Sequence, residues 1–202
     1  MFKKLNIQLL IIVSGSSVVL VACLLLSMKS TPVPTPTPPR WIVEWLEHPS
    51  CLPPCWETIQ PSVTSVDAIK DIEQRYPDMS VEIKPGTSVI QVISLHLSYY
   101  GKLPIRLLIS KFGQPDYVRI AQSDPNGKCP TDVIFIDEGM VVEVYPENMD
   151  GYLNPIVEIS AETNVLVIDF LETGLNSYYD YYYNGMNVSL SPWKGYSEYF
   201  NP

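Results

Sequence analysis

The chain has 202 residues and a formal net charge of −9, and all its acidic residues lie at position 44 or later. From residue 40 onward, 22 acidic residues face ten basic ones, which gives this part a net charge of −12. Nucleic acid and anionic lipid surfaces are therefore poor partners, because phosphates repel an acidic surface and binding them requires clustered lysine and arginine. The 163 residues that follow residue 39 suffice for one domain with its own core.

The amino-terminal residues have the composition of a membrane segment. Lys3 and Lys4 precede 20 uncharged residues, Ile7–Leu26, which at about 1.5 Å per residue cross a hydrocarbon core of roughly 30 Å. The positive-inside rule places the amino terminus in the cytoplasm and the remaining chain across the membrane. We expect residues 1–30 to be a signal anchor or a lipoprotein signal, with the domain held at the cell membrane on its extracytoplasmic side.

Three ways of processing this segment stay open. The sequence Leu20-Val-Ala-Cys23 resembles the lipobox of bacterial lipoproteins, which makes Cys23 a candidate lipidation site. The hydrophobic run continues through Leu26, as in an uncleaved signal anchor, and simple secretory cleavage is the third possibility. Residues 31–39 are rich in proline and predict a semi-rigid polyproline II spacer, about 3.1 Å long per residue.

Residues 40–202 predict an α+β domain, in which two helices pack on one face of an antiparallel β-meander. The first helix is expected to begin at a Thr64 cap and to end at Pro77, with Ile69 and Ile72 on its apolar face. The second is expected between Pro104 and Gly113, because proline suits a first helical turn and glycine suits a left-handed cap.

Alternating or apolar runs joined by short polar turns predict antiparallel strands. The predicted strands are Val81–Lys84, Val89–Tyr99, Tyr117–Gln122, Val133–Ile136, Met140–Tyr145, Ile156–Ser160 and Val165–Leu171. In the second strand Ile93 and Leu95 alternate with Ser94 and His96, so one face is expected to be dry and the other wet. The tail from Tyr178 to Pro202 is aromatic and polar and has no clean period.

Three cysteines follow the membrane segment: Cys51, Cys55 and Cys129. In an oxidising exterior any two of them can form a disulfide, and each of the three pairings leaves one thiol over. A zinc site is not expected, because His48 is the only histidine near Cys51 and Cys55 and zinc requires four ligands. The spacing between Cys51 and Cys55 is also one residue too long for a thioredoxin-type redox pair.

Two phrases resemble motifs of small outer-membrane lipoproteins of the assembly-factor E (small protein A) type, which have the fold of the β-lactamase inhibitor protein. The Pro61-Ser-Val-Thr64 phrase resembles their helix entry, with Ser62 in place of glycine, and Phe112-Gly-Gln-Pro115 resembles their helix exit. The resemblance implies helices against a curved antiparallel sheet and a role in binding other proteins. The segment Pro54–Ile59 also resembles one found in uncharacterised bacterial exported proteins.

No constellation of residues specifies a reaction. Ser94 and Ser98 flank His96, but a nucleophile requires a base held by a third group, and the sequence contains no nucleophile elbow. No catalytic residue, metal site or cofactor is therefore assigned.

The aromatic tail is the candidate binding surface, because flat amphipathic rings serve in the recognition of sugars and proteins. The candidate residues are Tyr178, Tyr179, Tyr181, Tyr182, Tyr183, Trp193 and Tyr196. The alternative is that the tail wraps the sheet and half-buries each ring.

We therefore expect a membrane-tethered, extracytoplasmic, non-enzymatic domain that binds a protein or an envelope polymer such as a polysaccharide. The alternatives are an extracellular hydrolase with an unrecognised site and a structural envelope protein without a specific ligand.

Overall fold

The computed structural model describes residues 37–97, 101–121, 130–146, 149–150, 156–183 and 189–200. The chain divides into two units, Met1–Thr35 and Pro36–Pro202, and every described residue lies in the second. The predicted signal segment 1–30, the lipidation candidate Cys23, most of the spacer and Cys129 lie outside the described residues. Within the described ranges, no helix combines the length and the apolar character that crossing a membrane requires.

Most of the described strands belong to one antiparallel sheet in the order β1-β2-β8-β5-β4-β3-β9. They are β1 (Met79–Ile83), β2 (Ile90–His96), β3 (Tyr117–Ile120), β4 (Thr131–Phe135), β5 (Met140–Tyr145), β8 (Asn164–Phe170) and β9 (Ser191–Pro192). A smaller antiparallel sheet has the order β10-β7-β6, formed by β6 (Met149–Asp150), β7 (Ile156–Glu158) and β10 (Glu198–Phe200).

The prediction of a single β-meander is wrong in two respects. The strand predicted at 156–160 belongs to the smaller sheet, as β7, and the strands of the larger sheet are not all in sequence order. Strand β8 pairs with β2 on one side and with β5 on the other, so it lies between strands that precede it in the sequence. Ile168 and Phe170 of β8 thereby become fully buried in the centre of the sheet. A strand that is apolar on its inner face gains most from a central position, because both of its neighbours then shield it from water.

Three helices contribute to the core on one face of the sheet. They are α1 (Arg40–Glu47), α2 (Lys70–Arg75) and α3 (Ile105–Phe112), and a 3₁₀ turn (Val66–Ala68) precedes α2. The prediction of a helix between Pro104 and Gly113 is confirmed by α3, in which Ile105, Leu108 and Ile109 are buried. At its end Gly113 has φ = +96°, a backbone conformation that favours glycine.

The first predicted helix differs from the prediction in its start. Ser65, rather than Thr64, accepts a hydrogen bond from the Asp67 backbone N–H. The Thr64 hydroxyl oxygen instead accepts a hydrogen bond from the Gln60 N–H. The chain forms a 3₁₀ turn and then the six-residue helix α2, so the helix is shorter than the pattern predicts.

The tryptophans that precede the first predicted helix pack on the core. Trp45 lies in the unpredicted helix α1, and its ring packs edge-on against Trp56 and Phe170 at centroid distances of 5.1 and 5.7 Å. Trp56 is fully buried. Helix α1 is thus stabilised by aromatic burial rather than by a side-chain cap, which it lacks.

Of the three possible disulfides, the structure forms Cys51–Cys55, with the Cα atoms 5.7 Å apart. Pro54, inside this five-residue loop, packs close to Gly139 in the turn between β4 and β5. The loop is therefore fixed against one end of the sheet.

Candidate functional site

The aromatic tail contains a fourth helix, α4 (Leu175–Tyr183), which the sequence pattern did not predict. It packs on the face of the sheet opposite to helices α1 to α3. There Tyr178 joins Val92, Ile134, Val141 and Leu171 in a second apolar cluster. This second face was expected to be wet, yet Ser94 is buried on it, because α4 covers it.

Charged side chains lie in the sheet beneath α4. In adjacent strands Arg119 is opposite Asp132, and Asp132 is opposite Glu143, while Asp169 lies on the neighbouring strand β8. Arg119 Nη1 contacts Asp132 Oδ2 at 3.1 Å. Three carboxyl groups thus share a covered surface with one guanidinium group.

The tyrosine hydroxyl groups of α4 satisfy much of this buried polar surface. Tyr178 donates a hydrogen bond to Asp132 Oδ2 at 3.1 Å, and Tyr182 donates one to Asp169 Oδ2. The guanidinium carbon of Arg119 lies 4.8 Å from the centroid of the Tyr183 ring, a cation–π contact. Tyrosine suits this interface because it offers an apolar ring to the sheet and a donor to the carboxylates.

Burial is the largest influence on the pKa values of the three carboxyl groups beneath α4. Burial raises the pKa of Asp132 more than the charge of Arg119 lowers it. Burial also raises the pKa of Asp169, and the nearby Ser94 and Tyr182 hydroxyls offset only part of that rise. The pKa of Glu143 is raised by burial and further by the charges of Asp132 and Asp169. Burial is the largest cause for all three carboxyl groups, so each of them is protonated more readily here than in water.

The seven predicted binding residues separate into two places. Tyr178, Tyr179, Tyr181, Tyr182 and Tyr183 lie on α4, where Tyr178 is buried and the other four are half-buried. For these five, the alternative interpretation of a tail wrapped on the sheet describes the packing. Trp193 and Tyr196 lie further along the chain, on the turn between β9 and β10.

The turn between β9 and β10 is fixed by hydrogen bonds and ring contacts, and it exposes an aromatic surface. The buried Tyr199 hydroxyl accepts a hydrogen bond from Lys194 N–H and donates one to the Gly195 carbonyl, each at 2.8 Å. The Trp193 ring stacks on Tyr199 at 5.8 Å and meets the Tyr196 ring almost at a right angle, at 5.9 Å. Tyr196 is 44% exposed.

Polar groups border the same turn. Trp193 Nε1 donates a hydrogen bond to Gln114 Oε1 at 2.6 Å. Arg106 and Glu162 form an ion pair at 2.6 Å, and both lie close enough to Tyr196 to affect its pKa, which burial raises. We define the aromatic turn surface as Trp193, Tyr196, Gln114, Arg106 and Glu162.

His96 has a neighbour that sequence reasoning missed. Its Nε2 atom lies 3.0 Å from the hydroxyl of Ser80, which comes from the adjacent strand β1. The serine named from the sequence, Ser94, faces Asp169 instead, and Ser98 lies outside the described residues. Antiparallel pairing of β1 with β2 would have revealed the Ser80 contact, but the sequence does not specify this register.

Neither a metal nor a family assignment follows from this geometry. Among the described residues no group of three or more histidine, cysteine, aspartate or glutamate side chains has the geometry to hold a metal ion. The fold and the site define an α+β protein whose antiparallel sheet is covered by helices on both faces. Comparison with known protein families, curated proteins and solved structures found no match.

Proposed function

We propose that this protein is a membrane-tethered, extracytoplasmic domain that binds an envelope polymer or protein without catalysing a reaction. The observation that carries the proposal is the aromatic turn surface. Two rings at nearly a right angle offer apolar faces, while an ion pair and a glutamine beside them offer hydrogen-bonding groups. Rings flanked by polar groups suit a hydroxyl-rich, partly apolar ligand such as a polysaccharide, and Tyr and Trp are enriched where proteins recognise partners.

The proposed placement rests on the amino-terminal sequence, with the apolar run 7–26 as anchor and the proline-rich residues 31–39 as spacer. The resemblance to assembly-factor E lipoproteins is part of the same proposal, because those lipoproteins are tethered to a membrane and bind other proteins. Mass spectrometry of the native amino terminus tests the tether. A retained Met1 supports a signal anchor and an acylated Cys23 a lipoprotein, whereas a mature protein with neither contradicts membrane attachment.

Binding is tested by sedimenting the full-length protein, purified in detergent, with insoluble envelope polysaccharide. We expect Tyr196→Ala to reduce the bound fraction at least fivefold, because it removes the exposed ring while Trp193 remains stacked on Tyr199. Leu52→Ala is the matched control, since Leu52 is an exposed apolar side chain elsewhere, at 68% exposure. Equal binding by Tyr196→Ala and the control would show that the aromatic turn surface is not the contact.

The helix α4 surface is tested separately with a double variant, Tyr181→Ala and Tyr183→Ala. If α4 contributes to a protein contact, the partners recovered by pull-down disappear with this variant and persist with Leu52→Ala. If Tyr196→Ala leaves polysaccharide binding unchanged and the double variant leaves the recovered partners unchanged, a structural envelope protein without a specific ligand is favoured.

One observation favours a hydrolase as the second candidate function. Ser80 and His96 are at hydrogen-bond distance, and Asp169 lies on the neighbouring strand β8 opposite Ser94, two residues from His96. A serine nucleophile with a histidine base and an orienting carboxylate is the arrangement of acyl-transfer enzymes. Labelling of Ser80 by a fluorophosphonate probe, abolished in His96→Ala, would support the hydrolase, and an unlabelled wild-type protein would contradict it.

A further inference from the structure

A pocket of about 140 Å³ opens at the end of the sheet where β1 ends, β2 begins and α4 starts. Its polar walls include Ser62, Lys84, Gln91, Glu172, Ser177 and Asp180. The volume lies below the range of roughly 300–1,000 Å³ that is typical of sites for drug-sized ligands. Only a ligand of a few heavy atoms fits.

The charged walls of the pocket come from three neighbouring strands of the sheet. Lys84 follows Ile83 at the end of β1, and Ile83 pairs with Ile90 of β2. Glu172 lies two residues beyond Phe170, the last residue of β8. Strand β2, which contains Gln91, lies between β1 and β8. Lys84 and Glu172 therefore come from the outer two of three neighbouring strands, with Gln91 on the strand between them.

Two features shape the walls of the pocket. The Ser62 hydroxyl donates a hydrogen bond to Glu172 Oε2 at 2.8 Å, and the Ser62 backbone has φ = +63°. The register between β1 and β2 shifts at Glu82 and Ile83, which leaves Gln91 as the extra residue of a bulge. Bulges and left-handed non-glycine residues both redirect side chains at a local cost, and both are enriched at binding sites.

The pocket is lined by both a positive and a negative side chain, which is complementary to a ligand that carries both charges. Lys84 forms no ion pair with any described residue, although the domain carries a net charge of −12. Glu172 and Asp180, which also line the pocket, supply negative charge. A carboxylate beside Lys84 and an ammonium group beside Glu172 would each form a charge-assisted hydrogen bond.

We propose that this pocket binds a small zwitterion, a compound of the amino-acid class with one ammonium and one carboxylate group. The site does not depend on the aromatic turn surface, and Tyr181 is the one predicted binding residue that lines it. Exposed charge pairs are individually weak, so the expected dissociation constant is about millimolar.

The test compares three probes of the same carbon skeleton by saturation-transfer NMR on the full-length protein in detergent. They are 4-aminobutyrate, which carries both charges, butyrate, which carries the carboxylate, and butylamine, which carries the ammonium. We expect 4-aminobutyrate to bind at least tenfold more tightly than either of the others. Equal binding of all three probes, or no binding of 4-aminobutyrate at 20 times its expected millimolar constant, would overturn the proposal.

Two variants assign the charges. In Lys84→Met, 4-aminobutyrate should bind no better than butylamine, and in Glu172→Gln it should bind no better than butyrate. Glu172→Gln keeps an acceptor for the Ser62 hydroxyl, so the fold of the wall is preserved. Lys70→Met and Glu73→Gln are matched controls on the exposed side of α2 and should leave binding unchanged. An unchanged affinity in Lys84→Met and Glu172→Gln would also overturn the proposal.

Discussion

At the scale of single residues, Asp169 illustrates the cost of charge beneath α4. Its Oδ2 accepts a hydrogen bond from Tyr182, whereas its Oδ1 has no well-formed hydrogen bond among the described residues. Burial raises the pKa of this carboxyl above its usual value of about 3.9. The folded protein therefore binds a proton here more readily than the unfolded chain does.

The pH dependence of stability follows from this difference. A raised pKa in the folded state contributes stability that is complete below about pH 4 and is lost as the pH rises through the raised value. We expect Asp169→Asn to remove one such contribution and to flatten the fall in unfolding free energy above pH 4, by up to about 1.4 kcal/mol per pH unit. Urea denaturation from pH 4 to pH 8 measures this slope. The exposed Asp67→Asn is the control, and an identical slope in both variants would contradict the assignment.

Gly139 provides a second test at this scale, because its backbone and its surroundings both exclude a side chain. Its φ is +57°, and a Cβ atom there would lie 2.5 Å from the Leu171 carbonyl oxygen. Gly86 also has a positive φ, +76°, but nothing lies within 4 Å of its Cβ position.

We expect Gly86→Ala to lower the free energy of unfolding by about 1 kcal/mol, the cost of a left-handed alanine. Gly139→Ala should cost roughly 1–3 kcal/mol more, because the clash with backbone must also be relieved. Chemical denaturation of the two variants side by side isolates the steric part. Equal losses would show that the turn yields to the added methyl group.

At the scale of elements, α4 is attached to the sheet by ring packing and by hydroxyl groups. Tyr178→Phe keeps the ring and removes the hydrogen bond to Asp132, which then retains Arg119 as its partner. We expect a loss of about 1–3 kcal/mol in the free energy of unfolding, since a buried acceptor loses a donor. Tyr196→Phe, at an exposed residue, should change stability by less than about 0.5 kcal/mol.

Amide hydrogen exchange shows whether that loss is local. If α4 opens as a unit, protection falls across Leu175–Tyr183 in Tyr178→Phe and stays unchanged in β4 and β5. A uniform loss of protection across the sheet would instead show that α4 and the sheet unfold together.

At the scale of the whole molecule, the Cys51–Cys55 bridge closes a short loop between α1 and the sheet. Closing five residues removes little entropy from the unfolded chain, so replacing both cysteines with serine should cost roughly 2 kcal/mol. Thermal unfolding with and without reductant measures this. The reductant should lower the melting temperature of the wild type and leave the double variant unchanged; a response in the double variant would place another disulfide in the chain.

Local patterns in the sequence determined the elements whose burial is decided by a few neighbours. The bounds of α3 and β5 are as predicted, because the apolar stripe after Pro104 and the continuous apolar run from Met140 are both strong local patterns. The inward alternation of Ile93 and Leu95 is also confirmed, since the strand period is fixed by backbone geometry.

Only the tertiary structure decided which distant segments of the chain pair and which of their side chains come into contact. The position of β8 between β2 and β5, and the contact of Ser80 with His96, depend on strand pairing across long stretches of chain, which no local period encodes. Helix α4 was missed because its inner face carries tyrosines, whose rings and hydroxyl groups fit a surface that is apolar and acidic at once. These tyrosines can be recognised as the inner face of a helix only when the position of the sheet beneath them, with Asp132 and Asp169, is known.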